Sequence, residues 1–248
     1  MDLGLRGKIA LVTGASSGIG AATARLLAQE GADVVVCYGQ DQAGAEAVSE
    51  EVRAAGCRAC LYGFDIADAT AVSAAIGRVG REVGDLDALI LCAGRNIVTQ
   101  LAVLEPAEWD AIVAINLNGP FYVLRAATPL LRDGSAVVTV ASVAAQTGTP
   151  HHAHYAAAKA GLVNLTKSAA RSLAPRVRVN CVSPGVTLTA MGRDTAANLA
   201  PDYATTTLLT GHFAEPEEIA RCIIFLASPV AGFITGATLD ANGGRDLR

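Results

Sequence analysis

Lysine is scarce in this chain of 248 residues: Lys8, Lys159 and Lys167 stand against sixteen arginines. No basic run occurs, and the formal net charge is −4. Nothing in that balance draws the protein to a nucleic-acid backbone. No apolar run approaches the roughly 20 residues that a membrane-spanning helix needs. The N-terminal segment Met1-Asp2-Leu3-Gly4-Leu5-Arg6-Gly7 lacks the basic-then-apolar plan of a signal peptide. The expected compartment is the cytoplasm, with no membrane partner. Low-complexity tracts, short-period repeats and linkers are absent too, which favours one domain over residues 1–248. Cys57 and Cys60 form a C-x-x-C. However, no second ligand pair stands at zinc-like spacing, and the pair enters a strand instead of opening a helix. No metal site is expected.

What is present is apolar: 52% of the residues are hydrophobic, with alanine and valine prominent. A chain this long can bury a sizeable core. The composition suits a parallel sheet covered on both faces by helices. Strand-like segments fall near 8–13, 33–37, 58–63, 87–92, 135–141, 176–182 and 236–240. Helical segments fall near 18–30, 41–55, 68–83, 107–131, 153–173 and 215–227. Parallel strands with right-handed crossovers predict a doubly wound α/β sheet. Ligands bind such sheets beyond the carboxyl ends of the strands. The chemically suggestive segments sit there: a glycine turn after the first strand, Gly94 after the fourth, Ser142 after the fifth and Pro184-Gly185 after the sixth.

The glycine turn reads Thr13-Gly14-Ala15-Ser16-Ser17-Gly18-Ile19-Gly20 and joins the run Ile9-Ala10-Leu11-Val12 to a helix. Glycines let the backbone turn sharply and approach a ligand without a Cβ in the way. The helix N-terminus adds free N–H groups and a partial positive charge, so the segment predicts a pyrophosphate site. The second signal is Tyr155-Ala156-Ala157-Ala158-Lys159. Positions four apart on a helix share a face. An ammonium beside a phenol favours phenolate, so the Tyr155 pKa is expected to fall below its ordinary value of about 10. That makes an acid able to protonate an alkoxide near neutral pH.

Together these segments resemble the short-chain dehydrogenase/reductase family over nearly the whole chain. The resemblance implies a single Rossmann-like domain with a seven-stranded parallel sheet in the order 3-2-1-4-5-6-7. It implies four catalytic residues. Tyr155 is the proton donor, and Lys159 tunes the tyrosine and bonds the nicotinamide ribose. Ser142, thirteen residues before Tyr155, bonds the substrate oxygen. Asn116, in Asn116-Leu117-Asn118-Gly119, holds a relay water. It places the cofactor on Gly14, Ser16, Ser17, Gly18, Ile19, Gly20, Tyr38, Asp65, Ile66, Ala93, Gly94, Tyr155, Lys159, Pro184, Gly185, Thr187 and Thr189. Residues 186–214, about thirty without a clear strand, correspond to the family's substrate lid; loops this long in compact domains are commonly functional.

Cofactor choice turns on the end of the second strand. Tyr38 stands where NAD-preferring members carry Asp, and no arginine stands beside it. The absence of repulsion toward a 2′-phosphate favours NADP(H), with NAD(H) the alternative. The family's NNAG reads Leu91-Cys92-Ala93-Gly94 here, a departure that leaves the proton donor untouched. Arg95, His151 and Met191 are the candidate substrate contacts. His151, His152 and His154, close before Tyr155, are expected to border the pocket mouth. The expected substrate is a small keto or hydroxy compound, free or carrier-bound, of the ketoacyl or polyketide kind. A sugar, steroid or other small secondary alcohol is the alternative. A third reading is a domain that only senses cofactor redox state; the intact Ser142, Tyr155 and Lys159 argue against it. The resemblance also implies a homotetramer.

Overall fold

The computed structural model describes residues 2–247. Its strands are β1 (Ile9–Thr13), β2 (Asp33–Tyr38), β3 (Ala59–Gly63), β4 (Leu86–Leu91), β5 (Leu131–Val140), β6 (Val177–Pro184) and β7 (Thr238–Ala241). All are parallel and form one sheet in the order β3-β2-β1-β4-β5-β6-β7, as the resemblance implies. The helices are α1 (Gly18–Gln29), α2 (Gln42–Ala54), α3 (Ala69–Glu82), α4 (Pro106–Val113), α5 (Gly119–Ala127), α6 (Ala144–Thr147), α7 (Ala153–Leu173), α8 (Ala190–Ala197), α9 (Tyr203–Thr207) and α10 (Pro216–Ala227).

Alternate residues of each strand feed two separate cores. Ala10, Val12, Val34, Val36, Ile90 and Val138 pack with Leu27 of α1, Val48 of α2 and Ile223 of α10. Leu11, Val35, Leu89, Leu91, Val137 and Val179 pack with Val72 and Ile76 of α3, Val123 of α5 and Ala169 of α7. Both faces of the sheet are therefore covered, which is why the strands read as continuous apolar runs. Every residue of β1 is buried, and each large aliphatic side chain so placed contributes about 1.5–3 kcal/mol. Cys57 packs with the first core and Cys60 with the second. Opposite faces of the sheet thus separate the two thiols of the C-x-x-C, and all six cysteines are free.

Two elements differ from the sequence expectation. The helix expected over 107–131 is interrupted by a π turn, Ala114–Asn118, and ends in a 3-10 turn, Thr128–Leu130. Asn116 supplies the reason: its Nδ2 donates to the Ile112 carbonyl at 2.9 Å, the acceptor that an α-helix reserves for the Asn116 backbone N–H. The segment 186–214 is not irregular throughout. It holds α8 and α9, and a parallel bridge between Thr187 and Ala214 closes its base. Tyr203 and Phe213 stack across it, with ring centroids 6.1 Å apart. Among the described residues no helix is long and apolar enough to cross a membrane, and no cluster of three or more metal-ligating side chains occurs.

Candidate active site

The carboxyl ends of β1, β4, β5 and β6 lie side by side along one edge of the sheet, and the glycine turn follows β1. Gly14 and Gly18 both have positive φ, 65° and 53°. A Cβ on Gly20 would stand 2.2 Å from the Gly14 carbonyl oxygen, and one on Gly14 would stand 2.8 Å from Ala93 Cα. The backbone is therefore folded too tightly here for side chains. Thr13 Oγ1 accepts from the Ala93 N–H at 3.2 Å and pins the turn to the end of β4. Ser17 caps α1 in an extended conformation and makes no side-chain capping bond. The helix N-terminus is thus left for an anion, flanked by the hydroxyls of Ser16 and Ser17. This cradle fits the diphosphate of a dinucleotide.

Beside the glycine turn lie the ends of β2 and β3. The Tyr38 ring lies over Gly63 of β3, so close that a Cβ there would meet Tyr38 Cζ at 2.8 Å. Asp65 follows β3 and accepts from the Ala67 N–H at 2.9 Å. Ile66 is buried against Gly119 at the start of α5. Sequence reasoning missed Asp41. It caps α2, accepting from the Gly44 N–H at 2.9 Å. Gly44 itself packs on the Ser16 carbonyl, so this carboxylate sits beside the glycine turn. Its signal was legible as Asp just before a helical run.

At the other end Ser142, Tyr155 and Lys159 come together. Ser142 follows β5; its Oγ accepts from the Ala144 N–H at 3.2 Å and is hydrogen-bonded to the Tyr155 hydroxyl. Lys159, one helical turn beyond Tyr155 on α7, is buried. Its Nζ donates to the Val140 carbonyl at 2.8 Å and lies 5.6 Å from the Tyr155 ring centroid. Gly94 is the floor between partners: a Cβ there would stand 2.8 Å from Asn116 Oδ1 and 3.3 Å from Lys159 Nζ. Asn116 is fully buried. Its Nδ2 donates to the Arg95 carbonyl at 2.7 Å, and its Oδ1 accepts from the Arg95 N–H at 3.3 Å.

The expected fall of the Tyr155 pKa is not found. Burial pushes it up to about 12, against a smaller lowering by the Ser142 hydrogen bond. Burial also pushes Lys159 down to about 8. The ammonium is turned to the Val140 carbonyl and lies beside the ring, so desolvation outweighs its pull on the phenol.

Pro184 and Gly185 end β6 beside β7, where the Gly185 N–H donates to the Ala241 carbonyl at 3.0 Å. Thr187 is buried, and its Oγ1 donates to the Gly185 carbonyl at 3.2 Å. Thr189 caps α8 through the Gly192 N–H at 3.0 Å and overlies the glycine turn, with its Cγ2 2.9 Å from where a Gly18 Cβ would be. Thr187 and Thr189 thus tie residues 186–214 to the end of β6 and to the glycine turn. Met191 on α8 and the Arg95 side chain are exposed.

The three histidines part ways. His151 is exposed. His152 contacts Asn96 Nδ2 through its Nδ1 at 3.0 Å, joining the loop after β4 to the start of α7, and burial holds it below its ordinary range. His154 does not border a pocket mouth: it is fully buried, with Nε2 3.4 Å from Glu108 Oε1 of α4. Helical spacing explains the correction, because position 154 is turned about 100° from Tyr155.

A family model described as Enoyl-(Acyl carrier protein) reductase matches residues 14–246. The 3-oxoacyl-(acyl-carrier-protein) reductase FabG of Staphylococcus aureus is 41% identical, covering 96% of this chain and 97% of that protein. The D-threitol dehydrogenase of Mycolicibacterium smegmatis is 39% identical, covering 100% and 96%. A short chain dehydrogenase from Burkholderia cenocepacia J2315, solved in complex with NADP, superposes with a TM-score of 0.92 at 35% identity, covering 98% of this chain and 99% of that one.

Proposed function

The chain belongs to the short-chain dehydrogenase/reductase family of nicotinamide-dependent oxidoreductases, and from that premise we propose that it reduces a ketone to a secondary alcohol with NADPH, its substrate a β-ketoacyl thioester or a related keto compound. One observation carries the reading: the Ser142 and Tyr155 hydroxyls are bonded, Lys159 Nζ lies 5.6 Å from the Tyr155 ring centroid, and Ala93-Gly94 touches both Lys159 and the glycine turn. Gly14, Ser16, Ser17, Gly18, Ile19 and Gly20 hold the diphosphate. Tyr38, Asp65 and Ile66 border the adenosine, Ala93 and Gly94 the ribose, and Pro184, Gly185, Thr187 and Thr189 the nicotinamide. The bound cofactor supplies the hydride. Ser142 Oγ holds the carbonyl oxygen and stabilises the charge that develops on it. Tyr155 gives its hydroxyl proton to that oxygen, and a pKa raised to about 12 keeps the proton in place across the neutral range. Lys159 bonds the ribose and returns a proton to Tyr155. Asn116, abutting Gly94 beside Lys159, anchors the water that refills it.

NADPH is favoured because Tyr38-Gly39-Gln40 offers a 2′-phosphate no acidic neighbour at the strand end. A second reading, NAD-linked oxidation of a small polyol, draws on the D-threitol dehydrogenase likeness and on the Asp41 carboxylate beside the turn. The lid, residues 186–214, selects the substrate, with Arg95, His151 and Met191 at its approach. The exposed apolar side chains Trp109, Phe121, Phe233 and Leu239 suit two-fold contacts between copies in a homotetramer. Initial rates with β-ketoacyl thioesters and simple ketones, each with NADPH and NADH, and with polyols plus NAD, test the reading. Thioester reduction with NADPH should dominate; polyol oxidation with NAD as the fastest reaction would replace it by the second.

A further inference from the structure

The first turn of α7 carries Tyr155 but has few ties of its own. Its N-cap, His152, makes no side-chain capping bond, and the turn holds no acidic residue. Helix ends fray unless their free N–H groups find partners. The chain before the helix is tied to the loop after β4: the Thr99 N–H donates to the His151 carbonyl at 2.9 Å, and His152 Nδ1 lies 3.0 Å from Asn96 Nδ2. Inside the turn, next to Tyr155, His154 meets Glu108 in the first turn of α4. His154 is fully buried, and its Nε2 stands 3.4 Å from Glu108 Oε1, a few tenths of an ångström beyond the usual hydrogen bond. Glu108 Oε1 is buried as well, and neither it nor either ring nitrogen has a hydrogen bond elsewhere.

We propose that His154 is a positioning residue: its imidazole and the Glu108 carboxylate clasp the start of α7 to α4 and so hold the Tyr155 hydroxyl against Ser142. The proposal rests on the reading of Tyr155 as the proton donor. A role in packing alone does not account for the pair. Burying a ring N–H and a carboxylate oxygen costs free energy unless each serves the other. Two apolar side chains of similar volume would join α4 to α7 at equal or greater stability. An apolar contact has no direction, whereas an N–H pointed at one oxygen fixes the register of the turn. The carboxylate also gives the first turn of α7 the negative charge that its own sequence omits, at a helix end where such charge is favoured. The movement that the clasp prevents need not be large, since a misplacement of about 1 Å at a reacting group can cost about a hundredfold in rate. His154 and Tyr155 are successive residues, so a shift of the first is a shift of the second.

The test is the double variant His154→Leu/Glu108→Leu, which removes both polar partners and keeps an apolar fill. Its melting temperature should equal or exceed that of the wild type. With acetoacetyl-coenzyme A and NADPH its kcat should fall about tenfold or more, while KM and the NADPH Kd stay within about twofold. His154→Gln, which keeps an N–H donor at similar reach, should recover most of the rate. Hydrogen exchange reads the clasp without turnover. In the double variant, and in Glu108→Ala at a partly exposed position, amides 156–159 should exchange about tenfold faster or more, with the rest of α7 unchanged. A wild-type kcat in the double variant, or a His154→Gln enzyme as slow as the double variant, overturns the proposal. Unchanged exchange at 156–159 in Glu108→Ala overturns it too. A wild-type enzyme that reduces no ketone would refute the proposed reaction instead, and the exchange would still decide the clasp.

Discussion

Lys159 carries a stability cost that its proposed role explains. It is a buried cation with a carbonyl but no carboxylate against it, and burial pushes its pKa down to about 8 from 10.5. The unfolded chain therefore holds more protons than the folded one between about pH 8 and 10.5, and the contribution of this group to folding stability rises with pH across that window. Below pH 8 the folded state carries the full penalty. Lys159→Met should stabilise the cofactor-free protein at pH 7 by about 2 kcal/mol, the penalty of roughly 3 kcal/mol less the lost bond to Val140. The gain should shrink above pH 10 while activity stays absent at every pH; thermal melts at the two pH values check it. Tyr38 governs the opposite end of the cleft. Tyr38→Asp places a carboxylate where it repels a 2′-phosphate and accepts from free ribose hydroxyls, so the NADPH-over-NADH preference should drop about tenfold or more in fluorescence titrations. A wild-type preference for NADH contradicts this reading of the end of β2.

At the scale of elements, the strand-turn-helix unit β1–α1 does one task, and its glycines are fixed by backbone contact. Gly20→Ala drives a Cβ against the Gly14 carbonyl. The start of α1 must move, and cofactor Kd should rise at least tenfold, about 1.4 kcal/mol, measured by titration. The seven strands were legible because each is a short apolar run bounded by turn residues, and burial on both faces leaves little room for another pattern. Tyr155 and Lys159, proposed as catalytic, were singled out by their spacing on α7, and Ser142 and Asn116 by the family resemblance. What was not legible depends on contacts distant in sequence. Asn116 at the π turn is held by Arg95, from the loop after β4, and the burial of His154 needs α4 laid across α7. The upward shift of Tyr155 likewise comes from desolvation by the whole fold, which residue spacing does not encode.

For the whole molecule, the proposed function separates holding a dinucleotide from acting on a substrate. The proposed diphosphate cradle rests on β1, β2 and α1; the proposed proton donor stands on α7, bonded to Ser142 after β5; Gly94, Thr187 and Thr189 join the halves. Residues 186–214 in turn lean on the C-terminal segment, where the Thr210 N–H donates to the Gly243 carbonyl and Gly244 lies against Leu209. This separation makes the central claim directly measurable. In Tyr155→Phe one hydroxyl is lost from the substrate half and nothing from the cradle. NADPH oxidation with a β-ketoacyl thioester should fall about 10²–10⁴-fold, the usual worth of a positioned general acid. NADPH Kd should stay within about twofold of wild type, a change under 0.5 kcal/mol. Turnover near the wild-type rate in this variant, with the cofactor still bound, would contradict the assignment of Tyr155 as the proton donor.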